Sequence, residues 1–224
     1  SMDTEYEAGV EMGRFFAEKG IKTAAIYGAF IPNPMHVYRV AGVLSGLGLS
    51  YDGATEEGEV VGKIFTDQSV DLSKISGDIQ IVSYLQGYGD TTTDEINAAI
   101  QAKPEAFISV GMATTFFTQQ LNAAGIEFSD IDSFTQSNGE AITNGKLVYL
   151  AGKYSSSVGP AFALVLNAIN GNVIRDEQGN AVSLSQNYQV ATDEATFDEF
   201  YKSDNGDNPI YNKETLDQII GESV

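Results

Sequence analysis

Short apolar runs alternate with amphipathic stretches along most of the chain. The runs are five to seven residues long and predict strands at 22–27, 60–66, 79–85, 106–110, 130–135 and 146–151. The stretches between them repeat apolar residues at helical spacing, which predicts helices at 4–19, 34–47, 92–103, 112–124, 138–144 and 157–170. This alternation is typical of a parallel α/β sheet, so we expect three layers with helices on both faces of the sheet.

The segment after residue 170 has a different pattern. A polar turn at 175–180 leads to an extended piece at 184–190, a helix at 193–202 and a short helix at 213–220. Between these two helices, residues 203–209 are rich in Asp, Asn, Gly and Pro, a composition that predicts a loop or linker. The regular strand–helix alternation therefore ends near residue 170.

Composition narrows the classes of function. The 224 residues include 31 acidic and 12 basic side chains, and the resulting net charge of −19 disfavours nucleic acid as a partner. Because there is no Cys, disulfides, thiol catalysis and cysteine-ligated metal centres are excluded. The hydrophobic fraction of 42% is enough for a buried core. No apolar run reaches the roughly 18 residues that a membrane span requires.

The candidate chemistry is that of binding rather than catalysis. No loop carries a glycine-rich phosphate motif or the Gly-x-Ser-x-Gly motif of a nucleophilic serine. His36 is the single histidine, and it lacks the second His or Cys that a metal site of this kind needs. Carboxylates near the predicted strand ends are interpreted as helix caps or solvated surface. We therefore predict no catalytic residue, no metal site and no cofactor.

Four segments, taken in order, resemble a known family. They are 6–27 (YEAGVEMGRFFAEKGIKTAAIY), 39–43 (RVAGV), 106–125 (AFISVGMATTFFTQQLNAAG) and 138–159 (NGEAITNGKLVYLAGKYSSSVG). Together they are similar to the C-terminal lobe of the type I periplasmic binding proteins, two-lobed clamps that deliver solutes to ABC transporters. Nothing in the chain resembles the N-terminal lobe that precedes this lobe in the family.

The resemblance implies a truncated chain with three parts. Residues 3–152 would form the C-terminal lobe, and residues 153–202 would be the crossover helix and strand that normally join the missing N-terminal lobe. Residues 203–224 would be a linker and a C-terminal helix. Ser1 and Met2 are interpreted as a remnant of an expression vector.

The resemblance also implies a ligand site, because family members bind their ligands with loops at the carboxyl ends of the strands. At the matching positions Tyr88 takes the place of an aromatic residue that stacks on a sugar ring in sugar binders. Arg39 is expected to be structural. Several positions that are usually polar are apolar or altered here, so we expect a ligand that is sugar-like or partly apolar. The implied ligand-binding residues are Phe30, Asn33, His36, Tyr88, Met112, Thr135, Gln136 and Lys153.

The function implied in this way is solute capture for an ABC importer outside the cytoplasm, as a cell-surface lipoprotein or in the periplasm. The partners would be a small molecule and a membrane permease, with no nucleic acid. The apolar face of helix 157–170 would lack its N-terminal-lobe partner, so we expect a second copy, in a homodimer, or the chain's own residues 184–220 to cover it. Two alternatives stay open: the effector domain of a lactose-repressor-type regulator, and an α/β enzyme of unknown class.

Overall fold

The computed structural model describes residues 2–88, 93–181 and 184–221. The helices in this part of the chain are α1 (Met2–Glu18), α2 (Pro34–Gly46), α3 (Glu57–Asp67), α4 (Thr93–Gln101), α5 (Ala113–Ala124), α6 (Gln136–Asn144), α7 (Val158–Ile169), α8 (Glu194–Asn205) and α9 (Lys213–Gly221). The strands are β1 (Thr23–Tyr27), β2 (Ser50–Tyr51), β3 (Ile75–Ser76), β4 (Gln80–Leu85), β5 (Ala106–Ser109), β6 (Glu127–Ser133), β7 (Leu147–Lys153) and β8 (Gln189–Ala191).

The main sheet has six strands in the order β4-β1-β5-β6-β7-β8. The first five strands in this order pair parallel with one another, whereas β8 pairs antiparallel with β7. Strands β2 and β3 form a separate antiparallel pair. The predicted α/β sheet with surrounding helices is confirmed, with one antiparallel strand at its edge.

The prediction of a strand at 60–66 is wrong, because these residues lie in helix α3. The buried side chains are Val60, Val61 and Ile64, which share one face of a helix, while Gly62 is exposed. A run of seven residues is too short for its apolar pattern to separate a helix from a strand. The helix lies in the long connection between β1 and β4, which are neighbours in the sheet.

The core lies on both faces of the central strands. All four residues of β5 are buried, as are four of the five in β1, which is the pattern of parallel strands covered by helices on both sides. Phe117 of α5 packs edge-on against Tyr27 and Phe107, with ring centroids 4.9 and 5.8 Å away. Helix α5 follows β5 directly in the chain, and its first turn therefore lies at the carboxyl edge of the sheet.

Helices α1 and α2 pack closely through glycines. A Cβ atom on Gly9 would lie 2.1 Å from the carbonyl oxygen of Arg39, and one on Gly42 would lie 2.1 Å from the carbonyl oxygen of Tyr6. The same close approach is repeated one turn further along both helices. This contact sets the position of α1 against α2 and brings the start of α1 to the carboxyl edge of the sheet. The glycines at this contact are Gly9, Gly13, Gly42 and Gly46.

Helix α7 leaves the sheet with an uncovered apolar face. Its buried side chains are Ala163 and Asn167, whereas Phe162 is 59% exposed and Ile169 is 74% exposed. Helix α9 packs on α7 near Gly159, where Leu216 would contact an added Cβ. Residues from the predicted covering segment 184–220 therefore contact α7 but leave most of its apolar face open. None of the helices in the described ranges combines the length and apolar character needed to cross a membrane.

Candidate functional site

Loops from successive strands meet in a cleft of about 370 Å³ at the carboxyl edge of the sheet. The strand ends are level there: Tyr27 pairs with Leu85 and Ser109, and Ser133 pairs with Lys153. Ligand sites of open parallel sheets lie at this edge. The cleft is lined by residues that follow or end five strands and by one that precedes β8, including Asn33, His36, Tyr88, Met112, Asp132, Lys153 and Tyr188.

The rim of the cleft is aromatic. Phe30 and Tyr88 are stacked, with ring centroids 5.9 Å apart and planes inclined by 20°, and Tyr88 also lies 6.0 Å from Phe116. Phe30, Tyr88 and Met112 are each between 39% and 48% exposed. Partly exposed aromatic faces of this kind pack against C–H groups or rings of a ligand.

Asn33 and His36 open helix α2 at one wall of the cleft. The Oδ1 atom of Asn33 accepts a hydrogen bond from the backbone N–H of Met35 at 3.0 Å, which caps the helix. The Nδ1 atom of His36 lies 3.0 Å from the backbone nitrogen and 2.9 Å from the backbone oxygen of Phe30. Burial lowers the pKa of His36, so the ring is neutral at pH 7. Its Nε2 side faces Gly111 across the cleft.

The floor of the cleft is an ion cluster centred on Glu5, which is buried in the first turns of α1. Its Oε2 accepts hydrogen bonds from Arg39 Nε at 2.7 Å and from the Tyr188 hydroxyl at 2.6 Å, and its Oε1 accepts one from Lys153 Nζ at 2.9 Å. Burial acts to raise the pKa of Glu5, but the charge of Arg39 and the hydrogen bonds from its partners outweigh burial and lower that pKa.

Each nitrogen of the Arg39 guanidinium donates within the protein. Besides Glu5, its acceptors are the carbonyl oxygen of Val110 at 2.9 Å and the Tyr188 hydroxyl at 2.6 Å. Lys153 is bound to Glu5 through one hydrogen bond, and its Nζ lies 4.2 Å from the centroid of the Tyr188 ring. Lys153 is 31% exposed at the cleft and retains two further N–H groups, whereas Arg39 is only 7% exposed.

Asp132 is a cleft residue that the sequence reasoning missed. It lies near the end of β6, where its Oδ1 accepts a hydrogen bond from Ser133 N at 2.7 Å and its Oδ2 accepts one from Asn138 Nδ2 at 3.2 Å. These bonds orient the carboxylate and leave acceptor positions for a ligand. The strand predicted at 130–135 extends two residues beyond the end of β6, and it therefore places Asp132 within the strand instead of at its carboxyl end.

Thr135 and Gln136 lie outside the cleft. The Thr135 hydroxyl caps helix α6 by accepting a hydrogen bond from Asn138 N at 3.3 Å. Gln136 bonds to Glu140 at 3.0 Å and lines a separate groove of about 410 Å³ between α6 and α8. The structure therefore brings five of the eight implied residues into the cleft and one, Phe30, to its rim.

Asp130 is buried beneath the site, where it stabilises the start of α5. Its carboxylate accepts hydrogen bonds from Thr114 N at 2.8 Å and Ser109 Oγ at 3.1 Å, and so it fixes the first turn of α5. Burial raises its pKa to about 6. Among the described residues, no group of three or more His, Cys, Asp or Glu side chains is arranged to hold a metal ion.

The sheet order and the position of the cleft define a lobe with the fold of the type I periplasmic sugar-binding proteins. A sugar-binding protein of a Bacillus halodurans sugar ABC transporter superposes with a TM-score of 0.58 at 12% identity, over 88% of this chain and 64% of that one. The arabinose-binding component of a Shewanella sp. ANA-3 ABC transporter superposes with a TM-score of 0.58 at 14% identity, over 96% of this chain and 63% of that one. The fructose-binding periplasmic domain of a hybrid two-component system superposes with a TM-score of 0.60 at 12% identity, over 98% of this chain and 64% of that one.

The chain thus spans about three fifths of the length of these binding proteins. At identities of 12–14%, these superpositions show a shared fold and nothing further. No family model matches the sequence, and the search of curated proteins found no match. Two of these three proteins are named as transporter components and the third as the periplasmic domain of a hybrid two-component system.

Proposed function

We propose that this chain is the C-terminal lobe and crossover segment of an extracytoplasmic solute-binding protein that serves an ABC importer. The observation that carries the proposal is the convergence of His36, Asp132 and Lys153 with an aromatic rim at the carboxyl edge of this sheet. In this proposal residues 3–152 form the lobe and 153–202 are the crossover helix and strand, of which β8 returns to pair with β7. Residues 203–224 are a linker and a C-terminal helix. The complete protein holds its ligand between two lobes, and hinge closure presents the complex to the permease.

The ligand proposed for this cleft is a small hydroxylated molecule with one less polar face. The Asp132 carboxylate accepts hydrogen bonds from hydroxyl groups, and Lys153 and His36 complete a set of donors and acceptors. Phe30 and Tyr88 pack against the C–H face of a ring, and Met112 adds an apolar contact. A sugar or sugar-like solute has both kinds of surface.

The exposed face of α7 supports a proposal about assembly. Val158, Phe162, Val165 and Ile169 are each more than half exposed on this helix. A continuous apolar face of this kind is normally buried by a partner. We propose that a second copy of this chain covers it, which gives a homodimer through helix 157–170.

Affinity measurements on matched variants test the binding function. Isothermal titration against simple pentoses, hexoses and nucleosides should find at least one ligand for the wild-type chain. Asp132→Asn should weaken that ligand about tenfold or more, because a charged acceptor of a ligand hydroxyl is lost. Asp207→Asn, which changes an exposed carboxylate outside the cleft, should leave affinity unchanged. Equal weakening by both variants, or no ligand in the panel, would count against the proposal.

A further inference from the structure

The charged groups at the cleft form a balanced set. Arg39 and Lys153 bring two positive charges, and Glu5 and Asp132 bring two negative charges. His36 is neutral at pH 7 because burial lowers its pKa. The other described residues that line the cleft carry no formal charge. The net formal charge of the described site is therefore zero, in a chain whose own net charge is −19.

Glu5 supplies one of the two negative charges, and it does so from a buried position below the cleft. Its carboxylate is buried and both of its oxygens already accept hydrogen bonds within the cluster, so burial keeps it out of direct contact with a ligand. Without it, the ammonium of Lys153 and the guanidinium of Arg39 would be offset by Asp132 alone, and the site would carry a net charge of +1. Such a pair is a typical recognition element for carboxylate or phosphate groups.

We propose that Glu5 is a specificity-determining residue that makes the cleft select uncharged ligands over their anionic counterparts. The proposal rests on the binding function proposed above and specifies the charge class of its ligand. Glu5 acts through Lys153, whose Nζ is held 2.9 Å from Oε1 and is the part of the cluster that reaches the cleft. A ligand carboxylate that approaches Lys153 meets an ammonium paired with Glu5 and also the negative charge of Asp132 on the neighbouring strand β6.

The residues of this cluster come from four separate elements of the fold. Glu5 comes from α1, Arg39 from α2, Lys153 from the end of β7, and Tyr188 from the segment before β8. The glycine contact between α1 and α2 holds Glu5 against Arg39: the helices are so close that an added Cβ on Gly9 would lie 2.1 Å from the Arg39 carbonyl oxygen. The two elements that would cross to a second lobe are thus tied to the same carboxylate. Charge selection is built into the lobe rather than into a mobile loop.

Three ligands that share a ring but differ in charge test the proposal: a hexose, its uronate and its amino sugar, in both the glucose and the galactose series. Wild-type protein should bind the neutral hexose at least about tenfold more tightly than the uronate. Glu5→Gln should shift this ratio by about tenfold towards the uronate. Lys153→Gln keeps the bonds of Glu5 to Arg39 and Tyr188, and it should shift the ratio towards the amino sugar. Glu18→Gln removes the same charge from an exposed position at the far end of α1 and should leave the ratios unchanged.

The outcomes separate the two proposals. If wild-type protein binds a neutral hexose but Glu5→Gln and Lys153→Gln leave the ratios as they are, charge selection by Glu5 is wrong while the binding function stands. If Glu18→Gln shifts the ratio as much as Glu5→Gln does, net charge rather than the cluster selects the ligand. If no member of either series binds the wild-type protein, and the wider panel of pentoses and nucleosides also fails, the binding function is wrong and the charge proposal falls with it. Should Glu5→Gln fail to fold, by circular dichroism, the Lys153→Gln ratios decide.

Discussion

Replacing Gly42 with Ala probes the helix contact on which the cleft floor depends. A Cβ at this position would lie 2.1 Å from the Tyr6 carbonyl oxygen and 2.9 Å from the Val10 nitrogen, both of which are backbone atoms that no rotamer change relieves. Overpacking of this kind costs about 1–3 kcal/mol, and the better helix propensity of Ala returns about 1 kcal/mol. Because two short backbone contacts must be relieved at once, we expect Gly42→Ala to destabilise the fold by about 2 kcal/mol.

A matched control is available at Gly62, which lies in the middle of α3 with no atom within 4 Å of an added Cβ. Gly62→Ala should stabilise the protein by up to about 1 kcal/mol, because only the propensity gain operates there. Urea unfolding followed by far-ultraviolet circular dichroism measures both variants. The two substitutions should therefore change the free energy of unfolding in opposite directions. If Gly42→Ala is as stable as the wild-type protein, α1 and α2 do not pack as closely in the protein as they do in this structure.

Three further predictions concern pH, the cleft rim and assembly. Burial raises the pKa of Asp130 from 3.8 to about 6, so the carboxyl group binds its proton more tightly in the folded state than in the unfolded state. The ionised carboxylate therefore lowers the free energy of unfolding by about 3 kcal/mol above pH 6, and this loss fades as the pH falls towards 3.8. Wild-type protein should thus gain stability relative to Asp130→Asn between pH 7 and pH 4.5, and parallel curves would contradict this. Tyr88→Ala should weaken a ring-containing ligand by about 1 kcal/mol or more in titration calorimetry, whereas Tyr88→Phe should retain most of the affinity. Phe162→Lys should convert a dimer into a monomer in light scattering, and a wild-type monomer would refute the dimer.

Much of the fold could be predicted from local pattern. Strands β1, β5 and β7 are mostly apolar runs buried on both faces, and β4 is a half-buried run at the sheet edge. Helices such as α2 and α5 show regular apolar spacing. Helix α3 was missed because its apolar residues are adjacent and few, which a strand also permits. The predicted start of β6 is three residues late because the strand contains the adjacent polar residues Ser129 and Asp130, which the fold buries through hydrogen bonds to β5 and α5.

The candidate site divides in the same way. Residues that follow a strand, such as His36 and Met112, reach the cleft because the carboxyl ends of parallel strands share one edge. Glu5 and Tyr188 could not be found in this way, because they are 183 positions apart and meet only after α1 packs on α2 and the C-terminal segment returns to β7. Thr135 shows the opposite case, since a polar residue after a strand serves as a helix cap instead of facing the cleft.

The central claim is that this lobe binds a small neutral, hydroxylated solute at the carboxyl edge of its sheet. Backbone amide chemical shifts, recorded while the chain is titrated with the tightest ligand of the panel, test it most directly. The account predicts saturable shifts that cluster at His36, Gly111, Met112, Asp132 and Lys153, and that need about tenfold more ligand to saturate in Asp132→Asn. Saturable shifts confined to the groove between α6 and α8, with the cleft residues unmoved, would contradict it.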